Sequence, residues 1–394
     1  MQQRTPLAHK MKGGDAKMRV DNSVSHITID RPTNNYMTAA YIDGRSVVFV
    51  SQDVFLIPSP MLEFLFATPK LFSFYKNWQK IVKHAVAFFI FGDSFLDAGN
   101  NNYINTTTLD QANFWPYGET YFEFPTGRFS DGRLVPDFIA KYANLPFIPP
   151  FLQPGMDQYY HGVNFASAGA GALVETFKGD VIDLKTQLRY YKKVENWLRH
   201  KLGNDEARMT ISKAVHLFSI GSNDYLTPFL TNSTALKSYT NSKYVGMVIG
   251  NLTTVVKEIY RLGGRKFAFI NHYTTKLFPS SSVNLEKRLK GFKHSLFDLN
   301  SFLEQRINHP SKFGFRQGKS ACCGTGPFRG VFSCGGRRLV KQFELCENPN
   351  EYVFWDSIHL TEQAYKQLAD QMWGGGVGHP HVLGPYNLMN LFQT

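Results

Sequence analysis

The sequence predicts an α/β fold built on a mostly parallel sheet covered on both faces. Two observations carry this expectation. Apolar runs of strand length recur at residues 85–91, 214–220 and 266–270. Between them lie helix-period segments such as Leu184–Leu202, with apolar side chains at Leu184, Leu188, Tyr191, Val194 and Leu198. Strands that alternate with such helices pair in parallel, because a parallel neighbour needs a crossover of about a dozen residues or more.

Taken in order, residues 85–91 read as a buried strand because every one is apolar. Val135–Tyr142 is helical, and residues 162–166 form a short strand that runs into small residues. After the helix at Leu184–Leu202 come an apolar strand at 214–220, a helix at 245–262 and strands at 266–270 and 292–299. A short strand at 352–355 and a helix at 361–373 close the chain, the helix stopped by Gly374-Gly375-Gly376. The structured domain is expected over residues 84–394. Residues 1–83 are mixed in composition and lack sustained periodicity, so they read as a partly disordered extension with a short strand at Ser46–Val50.

The 394 residues suffice for one large domain plus an extension, and 43% apolar with 19% charged residues is ordinary for a globular chain. Phe is abundant, which core packing explains as well as an acyl-binding site does. The net charge of +12 is scattered rather than gathered into a basic stripe interleaved with aromatics. That excludes a nucleic-acid-binding reading and leaves a surface suited to a polyanionic wall, a membrane surface or plain solubility.

Four cysteines, Cys322, Cys323, Cys334 and Cys346, fall in one Gly-rich stretch. Adjacent cysteines bond each other poorly, so Cys322 and Cys323 are expected to reach separately to Cys334 and Cys346, in either pairing. Zinc is the alternative, but neither a C-x-x-C spacing nor an interleaved His supports it. Sequons at Asn105-Thr106-Thr107, Asn232-Ser233-Thr234 and Asn251-Leu252-Thr253 lean with the cysteines towards the secretory route. Residues 1–30 carry no apolar core behind a basic start, so no signal peptide is legible, and the apolar stretch near 47–66 is too broken to span a membrane.

Ligands of parallel α/β sheets lie beyond the carboxyl ends of the strands. Four loops expected there hold the reactive side chains. Phe91-Gly92-Asp93-Ser94 would lift a serine hydroxyl to the sheet edge, and Ser94 is the candidate nucleophile. If Ser94 starts a helix, the amides there would help stabilise an oxyanion. In Trp355-Asp356-Ser357-Ile358-His359, His359 is the candidate base and Asp356 its orienter. Gly169 is a candidate oxyanion donor through its backbone N–H. Asn223, in Gly221-Ser222-Asn223-Asp224-Tyr225, is a candidate donor through an amide that does not titrate. Each has a plainer reading, respectively an N-cap, a surface histidine, a tight turn and an Asn-Asp turn. Phosphate-loop and dinucleotide spacings fail near residues 314–330, and no G-x-S-x-G elbow is present.

The blocks at 91–102, 162–171, 221–225 and 356–362 together resemble the plant GDSL esterase/lipase family of the SGNH hydrolases. Phe124-Pro125-Thr126-Gly127-Arg128-Phe129-Ser130-Asp131-Gly132-Arg133 and Ala321-Cys322-Cys323-Gly324-Thr325-Gly326 match as well. The resemblance runs from about residue 85 to the C-terminus. It implies a three-layer α/β/α sandwich, flavodoxin-like, around about five parallel strands. It also implies Ser94, His359 and Asp356 as the catalytic residues. Gly169 and Asn223, with the Ser94 N–H, would form the oxyanion hole, and secretion is expected. The sequence departs from the family at Phe95, where Leu is expected, and at residues 1–83, which stand in place of a short signal peptide. A third departure is the connection between the strands at 266–270 and 292–299. Residues 283–290 provide about two helical turns, roughly 12 Å, against a strand of roughly 17–20 Å. One crossover helix is therefore expected to be shortened or missing, exposing part of a sheet face and lowering stability relative to a full-length family member.

The expected activity is hydrolysis of a carboxylic ester, lipid or acyl, through an acyl-enzyme on Ser94, without metal or cofactor. The alternatives are a catalytically impaired defence-associated or cell-wall interaction protein, and an acyltransferase on the same scaffold. Expected partners are a small ester or lipid and a membrane or wall surface.

Overall fold

The computed structural model describes four strands within residues 17–50, and residues 86–106, 110–230, 239–271, 277–374 and 384–394. The chain divides into two compact units, Met1–Ile81 and Val82–Thr394. In the first, β1 (Lys17–Val20), β2 (His26–Asp30), β3 (Met37–Ile42) and β4 (Ser46–Val50) form an antiparallel meander in sequence order. The sequence reading found only the last of these strands. The remainder of the expected disordered extension lies outside the described residues, as does the sequon at Asn232.

In the second unit a five-stranded, all-parallel sheet is built from β5 (Phe88–Gly92), β6 (Gly162–Asn164), β7 (Val215–Ser219), β8 (Lys266–Asn271) and β9 (Lys293–Asp298). Its order is β6-β5-β7-β8-β9. The helices, in chain order, are α1 (Val135–Tyr142), α2 (Leu184–Leu202), α3 (Asn204–Lys213), α4 (Ser222–Leu230), α5 (Asn241–Arg261), α6 (Leu277–Arg288), α7 (Leu299–Asn308), α8 (Glu362–Gly374) and α9 (Leu388–Gln393).

Strand alternation sorts the core into two layers. Phe89, Phe91, Phe218, Phe267 and Phe269 face α2, α3 and α5, whereas Phe88, Ile90, Leu217, Ala268 and Ile270 face α1, α7, α8 and α9. Phe91 stacks on Phe218 at 4.7 Å, and Phe218 on Phe269 at 5.5 Å. This row of offset rings across three strands accounts for part of the Phe content as core. The three-layer sandwich is thus present.

The crossover between β8 and β9 differs from expectation in its consequence. It is short, with 12 residues in α6 against 19 in α2 and 21 in α5. Yet at ~1.5 Å per residue α6 spans about 18 Å, the length of a strand. It starts at Leu277, so Pro279 falls in the first turn, where a missing N–H costs no helical bond. The sequence reading places only residues 283–290 in a helix. Leu285 of α6 joins the core with Phe292 and Leu296, and His294 through Phe297 are all buried. The expected bare sheet face does not arise, which removes the ground for a stability loss.

A second difference concerns the last strand. Tyr352–Phe354 does not extend the main sheet. As β13 it pairs in parallel with β10 (Gln317–Ala321), a separate two-stranded element. Between them β11 (Cys323–Gly324) and β12 (Glu344–Leu345) pair antiparallel. The disulfides join Cys322 to Cys346 and Cys323 to Cys334, which rules out the zinc alternative and chooses between the two pairings. Asn105 and Asn251 are exposed.

Candidate active site

Phe91 and Gly92 end β5 at the carboxyl edge of the sheet, and the chain turns at once. Asp93 accepts the backbone N–H groups of Leu96 and Asp97 on its carbonyl and that of Phe95 on its carboxylate. No α-helix follows, so Ser94 sits in a single hydrogen-bonded turn rather than at a helix start. At 2.8 Å from the Ser94 Oγ lies the Nε2 of His359. The Nδ1 of His359 is 2.9 Å from both carboxylate oxygens of Asp356. Three predicted side chains thus meet in one line, although β13, which delivers two of them, lies outside the main sheet.

Asp356 is fully buried. Its Oδ1 accepts the backbone N–H groups of Ile358 and His359, each at 2.8 Å. Its Oδ2 accepts the Tyr117 hydroxyl at 2.8 Å. Burial opposes its charge, but His359 and these donors outweigh that and hold the carboxyl well below the usual range. A carboxylate only accepts, so the proton on Nδ1 belongs to the imidazole, and Nε2 is left to accept from the Ser94 hydroxyl. Phe129, its ring centroid 4.6 Å from that of His359, shields the imidazole from one side, and Phe332 stands at 6.5 Å.

Gly169 lies in the loop after β6 with φ +80°, and a Cβ there would press on Val181 at 2.9 Å and on the Asp110 carboxylate at 3.0 Å. Asn223 is in the first turn of α4, not in a free loop, and its Nδ2 donates to the Ala170 carbonyl at 3.0 Å. The two predicted oxyanion donors therefore belong to one hydrogen-bonded assembly.

The sequence reading passed over the residues that hold this assembly. Asp97 accepts the N–H groups of Gly99 and Asn100 at 2.7 Å and of Ala168 at 3.0 Å. Asn101 donates to the Ala168 carbonyl at 2.9 Å. Asp224 accepts from Ala172 at 2.8 Å, Leu173 at 2.9 Å and the Thr176 hydroxyl at 2.6 Å. Asp97, Asn101 and Asp224 stood inside blocks already singled out, so a signal existed. Tyr117, Gln187 and Arg338 had none. Burial, aided by the charges of Asp224 and Asp97, pushes Asp93 up to about 7, and burial pushes Asp97 up to about 6. Among the described residues no group of three or more His, Cys, Asp or Glu could hold a metal ion, and no helix is long and apolar enough to cross a membrane.

A parallel sheet with a hydroxyl, an imidazole and a carboxylate aligned at its carboxyl edge defines the class: a carboxylic ester hydrolase of the three-layer α/β/α type. Comparison with known proteins agrees. The model of the GDSL-like lipase/acylhydrolase family matches residues 88–372. GDSL esterase/lipase 5 of Arabidopsis thaliana is 54% identical over 370 residues, covering 85% of this chain and 96% of the relative. GDSL esterase/lipase 1 of the same plant is 50% identical, over 80% of this chain and 92% of its own length. A GDSL lipase of Tanacetum cinerariifolium is 45% identical, over 79% and 89%. The chain belongs to the GDSL-like lipase/acylhydrolase family. The two disulfides fit an extracellular member.

Proposed function

We propose that the protein hydrolyses carboxylic esters of lipid or acyl type through an acyl-enzyme on Ser94. The observation that carries this is the 2.8 Å contact between Ser94 Oγ and His359 Nε2, with Asp356 on the far nitrogen. Ser94 Oγ bonds to the ester carbonyl carbon as its proton passes to Nε2. Asp356, charged, stabilises the imidazolium that forms. The carbonyl oxygen takes up the negative charge, and the N–H groups of Ser94 and Gly169 and the Asn223 amide donate to it. Collapse breaks the bond to the alcohol oxygen, which leaves with the proton from Nε2. Water then repeats the sequence on the acyl-serine, releasing the acid and restoring Ser94.

Ser94→Ala is expected to abolish turnover of p-nitrophenyl esters and labelling by a fluorophosphonate probe, with the thermal melt unchanged. Full activity in that variant would refute the assignment. The impaired alternative rested on a lost crossover helix, which α6 supplies. In the same reading residues 84–394 are the hydrolase domain, residues 1–83 lie outside it, and the chain is a secreted glycoprotein. The exposed Asn105 and Asn251 and the two disulfides support secretion. Mass spectrometry of the native protein should find glycans at these asparagines; bare asparagines with free thiols would contradict it.

A further inference from the structure

We propose that Arg338 and Tyr117 are positioning residues for the reaction at Ser94, and that the doubly stapled loop between Cys334 and Cys346 exists to present Arg338. The proposal rests on the reading of Ser94, His359 and Asp356 given above.

Arg338 is a fully buried guanidinium. Its Nη2 donates to the Tyr117 hydroxyl at 2.9 Å, and that hydroxyl donates to Asp356 Oδ2 at 2.8 Å. The direction follows from the donor inventory. Arginine has no acceptor, so it occupies a lone pair on the phenol oxygen and turns the single phenol proton towards the carboxylate. Burial and the neighbouring Asp356 charge keep the phenol neutral and able to donate, holding Tyr117 well above its ordinary range. Asp356 thus has His359 on one side and a phenol, itself fixed by a cation, on the other.

A buried cation is costly unless its surroundings compensate. The rings of Phe332, Phe114, Tyr117 and Phe129 lie 4.1, 5.0, 5.5 and 5.8 Å from the guanidinium carbon. Two of these ring residues, Phe332 and Phe129, also flank His359. The backbone explains how Arg338 comes to this place. Cys323–Cys334 and Cys322–Cys346 pin both ends of the intervening loop to two adjacent residues. Those residues are themselves fixed to the approach to Asp356, since the N–H of Cys322 donates to Phe354 at 2.9 Å and that of Cys323 to Trp355 at 2.7 Å. One rigid element therefore sets both Asp356 and Arg338. A guanidinium placed only to fill the core would not need that frame.

The experiment uses the full chain with both disulfides intact. Tyr117→Phe, Arg338→Met and the double variant are compared with wild type on a p-nitrophenyl ester, and the proton of His359 Nδ1 is followed as a far-downfield NMR resonance. Each single variant should lower kcat about tenfold with KM within about twofold, the cost of one hydrogen bond to a charged acceptor. The double variant should be no slower than either single one, because both act through the same bond. The resonance should shift in the same direction in all three, and Arg338→Lys should recover most of kcat. A resonance unmoved in Tyr117→Phe and Arg338→Met overturns the proposal, as do additive losses of kcat or a loss confined to KM. Tyr117→Phe keeps the ring and decides the matter alone should Arg338→Met fail to fold. An inactive wild type would count against the ester-hydrolase reading, while the resonance would still decide the role of Arg338.

Discussion

Gln187 holds both backbone polar groups of Gly92. Its Nε2 donates to the Gly92 carbonyl at 2.8 Å and its Oε1 accepts the Gly92 N–H at 2.9 Å. Gln187 is fully buried on α2, and Gly92 ends β5 two residues before Ser94. The third bond of Gln187, to the Ile182 carbonyl at 2.9 Å, ties the same point to the loop leading into α2.

Gln187→Leu keeps the volume and removes all of this, leaving the Gly92 N–H and the Ile182 carbonyl without these partners while the Gly92 carbonyl keeps the Ser167 N–H at 3.0 Å. Unpaired buried groups cost about 1–3 kcal/mol each, so chemical denaturation should show a loss of about 3 kcal/mol. Turnover should fall with it, since the turn that carries Ser94 loses its anchor. A variant with wild-type stability would show that Gln187 is not an anchor.

Asp224 anchors the other wall of the site. With three acceptor bonds to residues 172, 173 and 176, it holds the loop that carries Gly169. A side chain at Gly171 would collide with it. Asp224→Asn replaces one acceptor oxygen by a donor that faces donors. It should lower kcat at least about tenfold, in proportion to one lost charged hydrogen bond, with a lower melting temperature. Steady-state kinetics at fixed pH tests this, and an unchanged kcat would show that Asp224 does not act on turnover through the Gly169 loop.

Asp93 gives a pH signature. Its folded value, about 7, lies above the ordinary carboxylate value, so between about pH 4 and 7 the folded state binds a proton that the unfolded chain has lost. Stability contributed by this group is therefore full at low pH and declines as pH rises through that window, by at most about 1.4 kcal/mol per pH unit. Asp93→Asn removes the titration. The melting temperature of wild type minus that of the variant should fall steadily from pH 4 to 7 and level off above it. Buried histidines such as His216, lowered by burial to about 4, act in the opposite sense but are common to both proteins and cancel in the difference. A difference flat across the window would show that Asp93 is not held protonated.

Much of this molecule was legible without coordinates, and the reasons are local. Apolar runs identify β5, β7 and β8, because strands buried on both faces lose polar alternation, and a helix-period stripe identifies α2, because burial on one face imposes that spacing. Asp356 and His359 are three residues apart, so their pairing is a property of one short loop. Legibility failed where local chemistry pointed elsewhere. Pro279 and the serines after it disguised the start of α6. Three apolar residues at β13 could not reveal which sheet they join. The Gly221–Tyr225 stretch read as a loop, yet α4 begins at Ser222, and Asp224 binds a loop some fifty residues away.

The sequence by itself determined the fold class, the strands of the main sheet and the helices α1, α2, α5 and α8, and it singled out Ser94, Asp356 and His359 as candidates, since the elements follow from burial spacing and the candidates from motif blocks that resemble the family. Tertiary structure alone decided which residues support them. Tyr117 meets Asp356 across 239 positions, Arg338 meets Tyr117 across 221, and Gln187 meets Gly92 across 95. A buried hydrogen bond between such distant residues satisfies two polar groups that neither neighbourhood can pair, and it imposes no periodicity on either stretch of chain.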